Sequence, residues 1–377
     1  LGRGLTDPDA LASLRRGVGH GRVPDPQAIL QNFEAALVSG PPTTGSKVSI
    51  LIPTWNQERF VVHAVESALA QDYPELEVVV CDDASTDRTQ CVLERFRSDP
   101  RFRYERRTAR LGRLGNYRRA VQHDACGDWV LMLDGDDHLI DTTFVRSAMQ
   151  ALAKHAHHEP VFVQAGHRVV WQTPEGDPVH ARQPVDILPA CADGCLDGAD
   201  YLRLVLETGF FSHLGTVYSR SAALQRGIYR SDCSATDMES LLRLAVSGSV
   251  VVMNRIAGCW VQHGGNASGQ VPWSGIEENA VIFQRIVADA AAAGRLEGRA
   301  IASALTRCEA RTLSHLFVSA AGHPSTTIRH VWTMLRLMIR VNPRVFLDRV
   351  LLQSWILIGC LLTGRSVSWP FSRRRRR

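Results

Sequence analysis

Two short β-rich runs, KVSILIP from Lys47 and LEVVVCDDAS from Leu76, constrain this chain more than any other feature. Neither alternates apolar with polar residues, so both read as buried strands whose two faces are covered. Between them, FVVHAVESALAQ places Val62, Val65, Leu69 and Ala70 on one helical face, and DRTQCVLERFRSD after the second run reads as another helix. FRYERR then gives a third strand, GRLGNYRRAVQHDA a helix, and DWVLMLDGDD a fourth strand. Strand and helix in strict alternation indicate an α/β fold, a mostly parallel sheet flanked by helices. In such sheets ligands sit at the carboxyl ends of the strands.

Those carboxyl ends carry the acids. Asp82 and Asp83 close the second strand, and Asp134, Asp136 and Asp137 close the fourth, so both clusters are expected to face a common cleft. Carboxylates packed together repel unless a cation sits among them, and hard oxygen donors suit Mg²⁺ or Mn²⁺. Mg²⁺ takes one or two protein carboxylates and completes its shell with water and substrate phosphates, which points to a nucleotide diphosphate. The plain alternative is a solvated acidic turn.

Past residue 160 the order loosens: PVFVQAGHRVVWQ reads as strand, GADYLRLVLETG as helix, and TDMESLLRLAVSG as an amphipathic helix with Leu241, Leu242, Leu244 and Ala245 turned inward. From about Ile276 to Ala321 the chain is expected to be helical again. Residues 1–46, rich in Gly, Pro and Asp, read as an N-terminal extension and linker.

Charge narrows the partners. The net charge of +5 comes from the tail Arg373 to Arg377, without which 38 basic residues face 38 acidic ones. A neutral body argues against nucleic acid, which is gripped by a spread basic face. Nine cysteines without repeated spacing suggest reduced, structural thiols. With no secretory signal and no apolar window of about 20 residues, the expected location is the cytoplasm. From Thr326, a helical pattern puts Ile328, Val331, Trp332, Leu335, Met338 and Ile339 on one face, Pro343 breaks it, and residues 350–362 are too short an apolar run to span a bilayer. With the arginine tail, this fits an interfacial helix pair on anionic lipid at the inner face of the cell membrane, each nearby basic residue adding about 1 kcal/mol. A helical hairpin packed on the catalytic domain is the alternative.

The stretch VSILIPTWNQERFVVHAVESALAQDYPELEVVVCDDASTD followed by LDGDD resembles the family 2 glycosyltransferases, inverting nucleotide-diphospho-sugar enzymes of the Rossmann-like GT-A fold. The resemblance runs from about Lys47 to Ser268. It implies a GT-A domain at 47–270, with 47–140 binding the sugar nucleotide and 141–270 supplying the acceptor and catalytic half, then a helical C-terminal region at 271–377. It also implies transfer of a sugar, most simply from a UDP-sugar, to a hydroxyl of a glycan or lipid-linked acceptor with Mg²⁺ or Mn²⁺ as cofactor.

Residue by residue, the resemblance assigns Pro53, Thr54, Trp55 and Glu58 to the base and ribose, Asp83 to the base, and Arg110, Arg113 and Asn116 to the diphosphate and sugar. Asp136 takes the ribose or sugar contact, Asp137 the metal, and Asp82 and Asp134 supporting roles. Asp237 matches the family's catalytic base, although Thr236 stands where Glu is usual and Glu239 offers an alternative base. His263 in VQHGGNAS matches a His that would be a second metal or diphosphate ligand. Two other readings stay open, a catalytically silent sugar-nucleotide or glycan binder and a nucleotidyltransferase on a related fold.

Overall fold

The computed structural model describes residues 45–173, 177, 179, 183–231, 233, 235–266, 276–292, 304–309, 312–313 and 328–341. The expectations for residues 1–44, for most of 293–327 and for 342–377, the arginine tail included, lie outside the described residues.

Strands β1 (Val48–Thr54) and β2 (Leu76–Asp82) are buried at every position, as their unbroken apolar composition requires. They pair in parallel, Val48 opposite Leu76 and Thr54 opposite Asp82. Strand β3 (Phe102–Arg106) joins β2 and β4 (Trp129–Met132) joins β1, both again parallel. The α/β class is therefore what the sequence implies.

Beyond β4 the directions mix. Strand β9 (Thr216–Ser219) runs antiparallel both to β4 and to the long β6 (Pro160–Trp171), while β6 and β10 (Ser249–Gln262) run parallel to each other. Two short strands, β5 (His138–Leu139) and β8 (Gly194–Asp197), pair antiparallel with β10, and β7 (Val185–Ile187) with β6. One continuous sheet results, in the order β3-β2-β1-β4-β9-β6-β10-β5.

Alternate residues of the inner strands feed two separate cores. Ile50, Ile52, Val78 and Val80 pack with the helices Val61–Leu69 and Phe144–Lys154, whereas Leu51, Val79 and Met132 pack with helices Gly198–Thr208 and Thr236–Ala245. Fully burying one such side chain is worth about 1.5–3 kcal/mol. The first helix corrects the sequence reading by about one position: it buries Val61, Ala64, Val65 and Ala68, while Val62 and Leu69 are half-buried and Ala70 is exposed. Small alanines face the sheet because they let the helix lie close to it. The helix Thr236–Ala245 buries Leu241, Leu242, Leu244 and Ala245 as its pattern indicates. Helix Gly198–Thr208 starts where the Asp197 side chain accepts from the Ala199 N–H at 2.8 Å and stops at Gly209, whose φ of 73° is the left-handed cap that glycine favours.

Among the described residues no disulfide is present, and no helix is long and apolar enough to cross a membrane. The helix Ile328–Val341 forms as expected, but its apolar side is divided. Leu337, Met338 and Val341 are buried, and Gln284 Nε2 donates to the Val341 carbonyl at 2.5 Å. Trp332 and Ile339, which the sequence groups with Met338, are exposed beside Arg336 and Arg340.

Candidate active site

The acid loop after β4 is shaped by its closeness to the end of β1. Leu133 N–H donates to Leu51 O at 3.0 Å, Gly135 N–H to Pro53 O at 3.2 Å, and Asp137 N–H turns back to Asp134 O at 2.9 Å. A Cβ on Gly135 would lie 2.4 Å from Gln57 Oε1 and 3.0 Å from Thr54 Oγ1, so a larger residue would displace the Gln57 side chain and crowd Thr54.

The three carboxylates of this loop then diverge. Asp134 Oδ1 accepts from the Tyr117 hydroxyl. Asp136 Oδ2 accepts from Asn266 Nδ2 at 3.1 Å and sits 3.0 Å from His263 Nε2. Asp137 Oδ1 accepts from the Val261 N–H at 2.9 Å. Burial, and next the negative charges of Asp136 and Asp134, push the Asp137 carboxyl well above its ordinary range, and the single Val261 N–H opposes them. Burial also raises Asp134, with Asp136 adding to it and His213, Tyr117 and Arg113 holding it back. Like charge concentrated in a buried loop is the electrostatic condition that a bound cation relieves.

Around this loop lies a cavity of about 600 Å³. Pro53, Thr54 and Trp55 from the end of β1, Asp83 from β2, and Arg113 with Asn116 from the helix Gly112–Arg119 all line it. Asp136, Asp137 and Asp237 line the same cavity. The exposed Trp55 ring carries the Arg110 guanidinium 3.4 Å from its centroid, a cation–π contact, and Arg110 Nε lies 4.0 Å from Asp83 Oδ2. Ten of the twelve site residues assigned from the sequence, Arg110 among them, thus line one space.

Four of the assigned residues are already engaged by the protein itself. Asp83 accepts from the Leu111 N–H at 2.6 Å and the Gly112 N–H at 2.8 Å, one on each oxygen, which ties the 108–112 loop to β2. Asn116 is buried and spans two elements, donating to Cys81 O at 2.7 Å and accepting from Arg107 Nε at 3.1 Å. Glu58 does not line the cavity; its Oε2 accepts from the Arg88 N–H at 2.7 Å while its own N–H donates to Asp87 Oδ2 at 3.1 Å. His263 also stands outside the lining, and both of its ring nitrogens are used. The Gly265 N–H donates to Nδ1 at 3.1 Å, so Nε2 carries the proton and donates to Asp136, while the ring stacks on Phe60 at 4.5 Å. The sequence suggests a ligand to metal or diphosphate; in this structure the His263 Nε2 faces Asp136. Asp82, expected to be structural, accepts from the Ser85 N–H at 2.9 Å and from the Tyr104 hydroxyl.

The other wall is built from the second half of the sheet. Asp237 opens the helix Thr236–Ala245, and its Oδ2 lies 4.0 Å from His213 Nδ1. His213 Nε2 contacts the Tyr229 hydroxyl at 3.2 Å. Tyr229 is held at φ 56°, a strained value for a bulky residue, by packing and by its N–H donating to Ser240 Oγ at 2.7 Å. Arg113 Nη2 reaches across to Cys233 O at 2.9 Å. Thr236 is fully buried, and Glu239, the alternative base, is buried against the Arg243 guanidinium and does not line the cavity.

Residues that the sequence did not single out complete the cavity: Gln57, Tyr117, His167, Phe211, His213, Leu214 and Trp260. Only Tyr117 had a readable signal, standing one helical turn after Arg113. The metal question turns on donor chemistry. Among the described residues there is no group of three or more His, Cys, Asp or Glu able to hold a metal ion. The donor set fits the smaller requirement of Mg²⁺ or Mn²⁺, one or two carboxylates with phosphate oxygens completing the shell.

Residues 49–186 match the family model described as Glycosyl transferase family 2. The poly(ribitol-phosphate) beta-N-acetylglucosaminyltransferase TarS of Staphylococcus aureus is 34% identical over 104 residues, covering 27% of this chain and 18% of TarS. Chondroitin synthase of Escherichia coli is 41% identical over 95 residues, 24% of this chain and 13% of the synthase. A GalNAc(5)-diNAcBac-PP-undecaprenol beta-1,3-glucosyltransferase of Campylobacter jejuni is 31% identical over 113 residues, 29% of this chain and 36% of the relative. The chain therefore matches well under half the length of each of these relatives. A crystal structure of S. aureus TarS in complex with UDP shares the fold with a TM-score of 0.56 at 19% identity, covering 79% of this chain and 82% of that one. A further TarS structure gives 0.57 at 20% identity.

Proposed function

We propose, from a chain that carries a family 2 glycosyltransferase domain with the GT-A fold, that it moves a sugar from a nucleotide-diphosphate donor to a hydroxyl of a glycan or lipid-linked acceptor with inversion at the anomeric carbon. The observation that carries this reading is the meeting of Asp83, Asp136, Asp137 and Asp237 around one cavity of about 600 Å³. TarS, whose structures include complexes with UDP and UDP-GlcNAc, supports a UDP-sugar as the donor to test first.

In this reading Trp55 and Arg110 offer a stacked platform to the base, and Thr54 and the Asp83-anchored loop border the ribose and diphosphate. Asp137, with Asp136 steadied by His263 and Asn266, would hold Mg²⁺ or Mn²⁺. When bound, such an ion neutralises charge on the leaving diphosphate. Asp237 takes the proton from the acceptor hydroxyl; the freed oxygen bonds to the anomeric carbon from the face opposite the diphosphate, and the bond from that carbon to the phosphate oxygen breaks to release the nucleotide diphosphate. Its carboxylate accepts no hydrogen bond from the described residues, so its lone pairs are open for this task.

The catalytic unit in this proposal is 47–270, and the region from 271 is assigned to peripheral contact with anionic membrane at the cytoplasmic face, for which exposed Trp332 and Ile339 beside Arg336 and Arg340 are the support. Liposome flotation of the full chain beside one ending near residue 325 tests that part. The test of the activity is release of UDP from a panel of UDP-sugars with Mn²⁺ and candidate acceptors. Turnover that disappears on chelation supports the reading. A chain that binds donors yet neither hydrolyses nor transfers them would be the silent binder that Thr236, in place of the usual Glu, would suit.

A further inference from the structure

Part of the cavity wall has a different chemistry from the acid loop. Trp260 on β10 and His167 on β6 meet edge to face, with ring centroids 5.9 Å apart and planes at 75°. They share a face because their strands are neighbours in register, with His167 opposite Gly258 and Val169 opposite Trp260. Gly258 lets β5 and Leu214 pack close behind them, since a Cβ there would stand 2.5 Å from the His138 carbonyl oxygen and 2.8 Å from Leu214 Cδ1. Leu214 and Trp260 belong to one core and Phe211 packs against the other, and all four residues line the cavity.

His167 is the anomaly in this wall. It is 7% exposed, and its Nδ1 is buried with no hydrogen-bond partner among the described residues. Burial depresses its pKa to about 4, so the ring is neutral at ordinary pH and offers one donor and one acceptor. An orphaned polar group of this kind costs about 1–3 kcal/mol. An apolar side chain would pack there without that cost.

We propose that His167, Trp260, Phe211 and Leu214 form a sugar subsite that takes a pyranose ring, its C–H face on the Trp260 ring and a hydroxyl on the imidazole of His167. The inference rests on the transferase reading and adds the place where the saccharide lies. A nucleobase is the wrong occupant, because the base platform at Trp55 follows β1, and three strand spacings, about 14 Å, separate β1 from β6. The position also suits the chemistry, since the segment that carries Phe211 and Leu214 carries His213, 4.0 Å from Asp237. The ring can belong to the transferred sugar or to the acceptor, and the two sources are separable.

Saturation-transfer difference NMR on the full chain with Mn²⁺ makes the test. One arm uses UDP-glucose and UDP-N-acetylglucosamine; the other uses methyl glycosides of glucose, galactose and N-acetylglucosamine added to UDP-saturated protein. Sugar-ring protons in at least one arm should receive saturation, and the arm that responds identifies the source. Trp260→Ala and His167→Leu should each reduce that signal about fivefold to tenfold, with UDP affinity by calorimetry held within about twofold. His167→Leu should melt no lower than the parent chain, since it removes an unpartnered imidazole, whereas a merely structural His167 would lower the melting temperature. Sugar signals absent from the parent chain, or unchanged in both variants while UDP still binds, would overturn the subsite. A parent chain that fails to bind UDP would remove the transferase reading and this inference with it.

Discussion

The two halves of the sheet treat their polar side chains in opposite ways. On the side of β1 to β4, Asp82, Asp83, Asn116 and Glu58 are all engaged by the protein's own N–H, hydroxyl and carbonyl groups. On the side of β6, β9 and β10, the Asp237 carboxylate accepts no hydrogen bond from the described residues, and His167 Nδ1 is buried without a partner among them. In the proposed account, satisfied groups fix the shape of the cavity and unsatisfied ones are where a substrate completes the structure. Between the halves stands the acid loop, where burial and the neighbouring Asp136 and Asp134 hold the Asp137 carboxyl well above its ordinary range.

If that contrast holds, equal-sized changes on the two sides should fail in different ways. The largest effect is expected from Asp237→Asn, which should lower kcat by about 10² to 10⁴ while leaving donor affinity near normal, as steady-state kinetics beside calorimetry would show. The matching change on the other side, Asp83→Ala, orphans two N–H groups and should cost about 1–3 kcal/mol of stability in denaturant melts. Unchanged stability of Asp83→Ala would break the comparison.

Next in size is His263→Ala. If the ring steadies Asp136, apparent Mn²⁺ affinity should fall about 10–100-fold in a metal titration of activity. His263→Gln, which keeps a donor, should recover part of it. A smaller effect is expected from pH. Because burial, Asp136 and Asp134 raise the Asp137 carboxyl above its ordinary 3.8, the folded chain keeps that proton longer than the unfolded one. This group's stabilising contribution is complete below its ordinary range and is lost as pH rises through the folded value. Metal-free parent chain should therefore melt below Asp137→Asn at neutral pH, with the gap closing as pH falls toward 4, each kcal/mol moving the midpoint by roughly 2–4 °C. Mn²⁺ should raise the parent at neutral pH and leave Asp137→Asn unmoved. Smallest is Trp55→Ala, which removes the Arg110 stack and should weaken UDP binding by about 0.5–1.5 kcal/mol, severalfold in Kd.

The same contrast explains what could be read from the sequence. β1 and β2 were legible because seven buried residues in a row leave few alternatives, and the acid loop because LDGDD combines clustered charge with a glycine where the loop passes close to Gln57 and Thr54. Asp237 was legible only through its resemblance, as its position in the first turn of a helix is also what the helix dipole favours. His213, His167 and Trp260 were not, since they come together through antiparallel β9 and the pairing of β6 with β10, contacts set by tertiary closure that no local spacing encodes. Nor does spacing reveal saturation: Asp83 and Asn116 were found at the cavity, but the backbone groups that occupy them, on Leu111, Gly112 and Cys81, are brought there by folding. The rotated face of Val61–Leu69 has the same origin, the sheet preferring its alanines to its larger side chains.

A second cavity of about 600 Å³, lined in part by His158, Glu159, Asp197 and Arg226, collects none of the acids of the loop, and it sets the terms of the most direct test. Crystals of the full chain with UDP and Mn²⁺, measured at the manganese edge, should show the anomalous peak within bonding distance of the Asp137 carboxylate and the uracil against Trp55. Manganese remote from Asp137, or UDP seated beside Arg226 instead, would contradict the account.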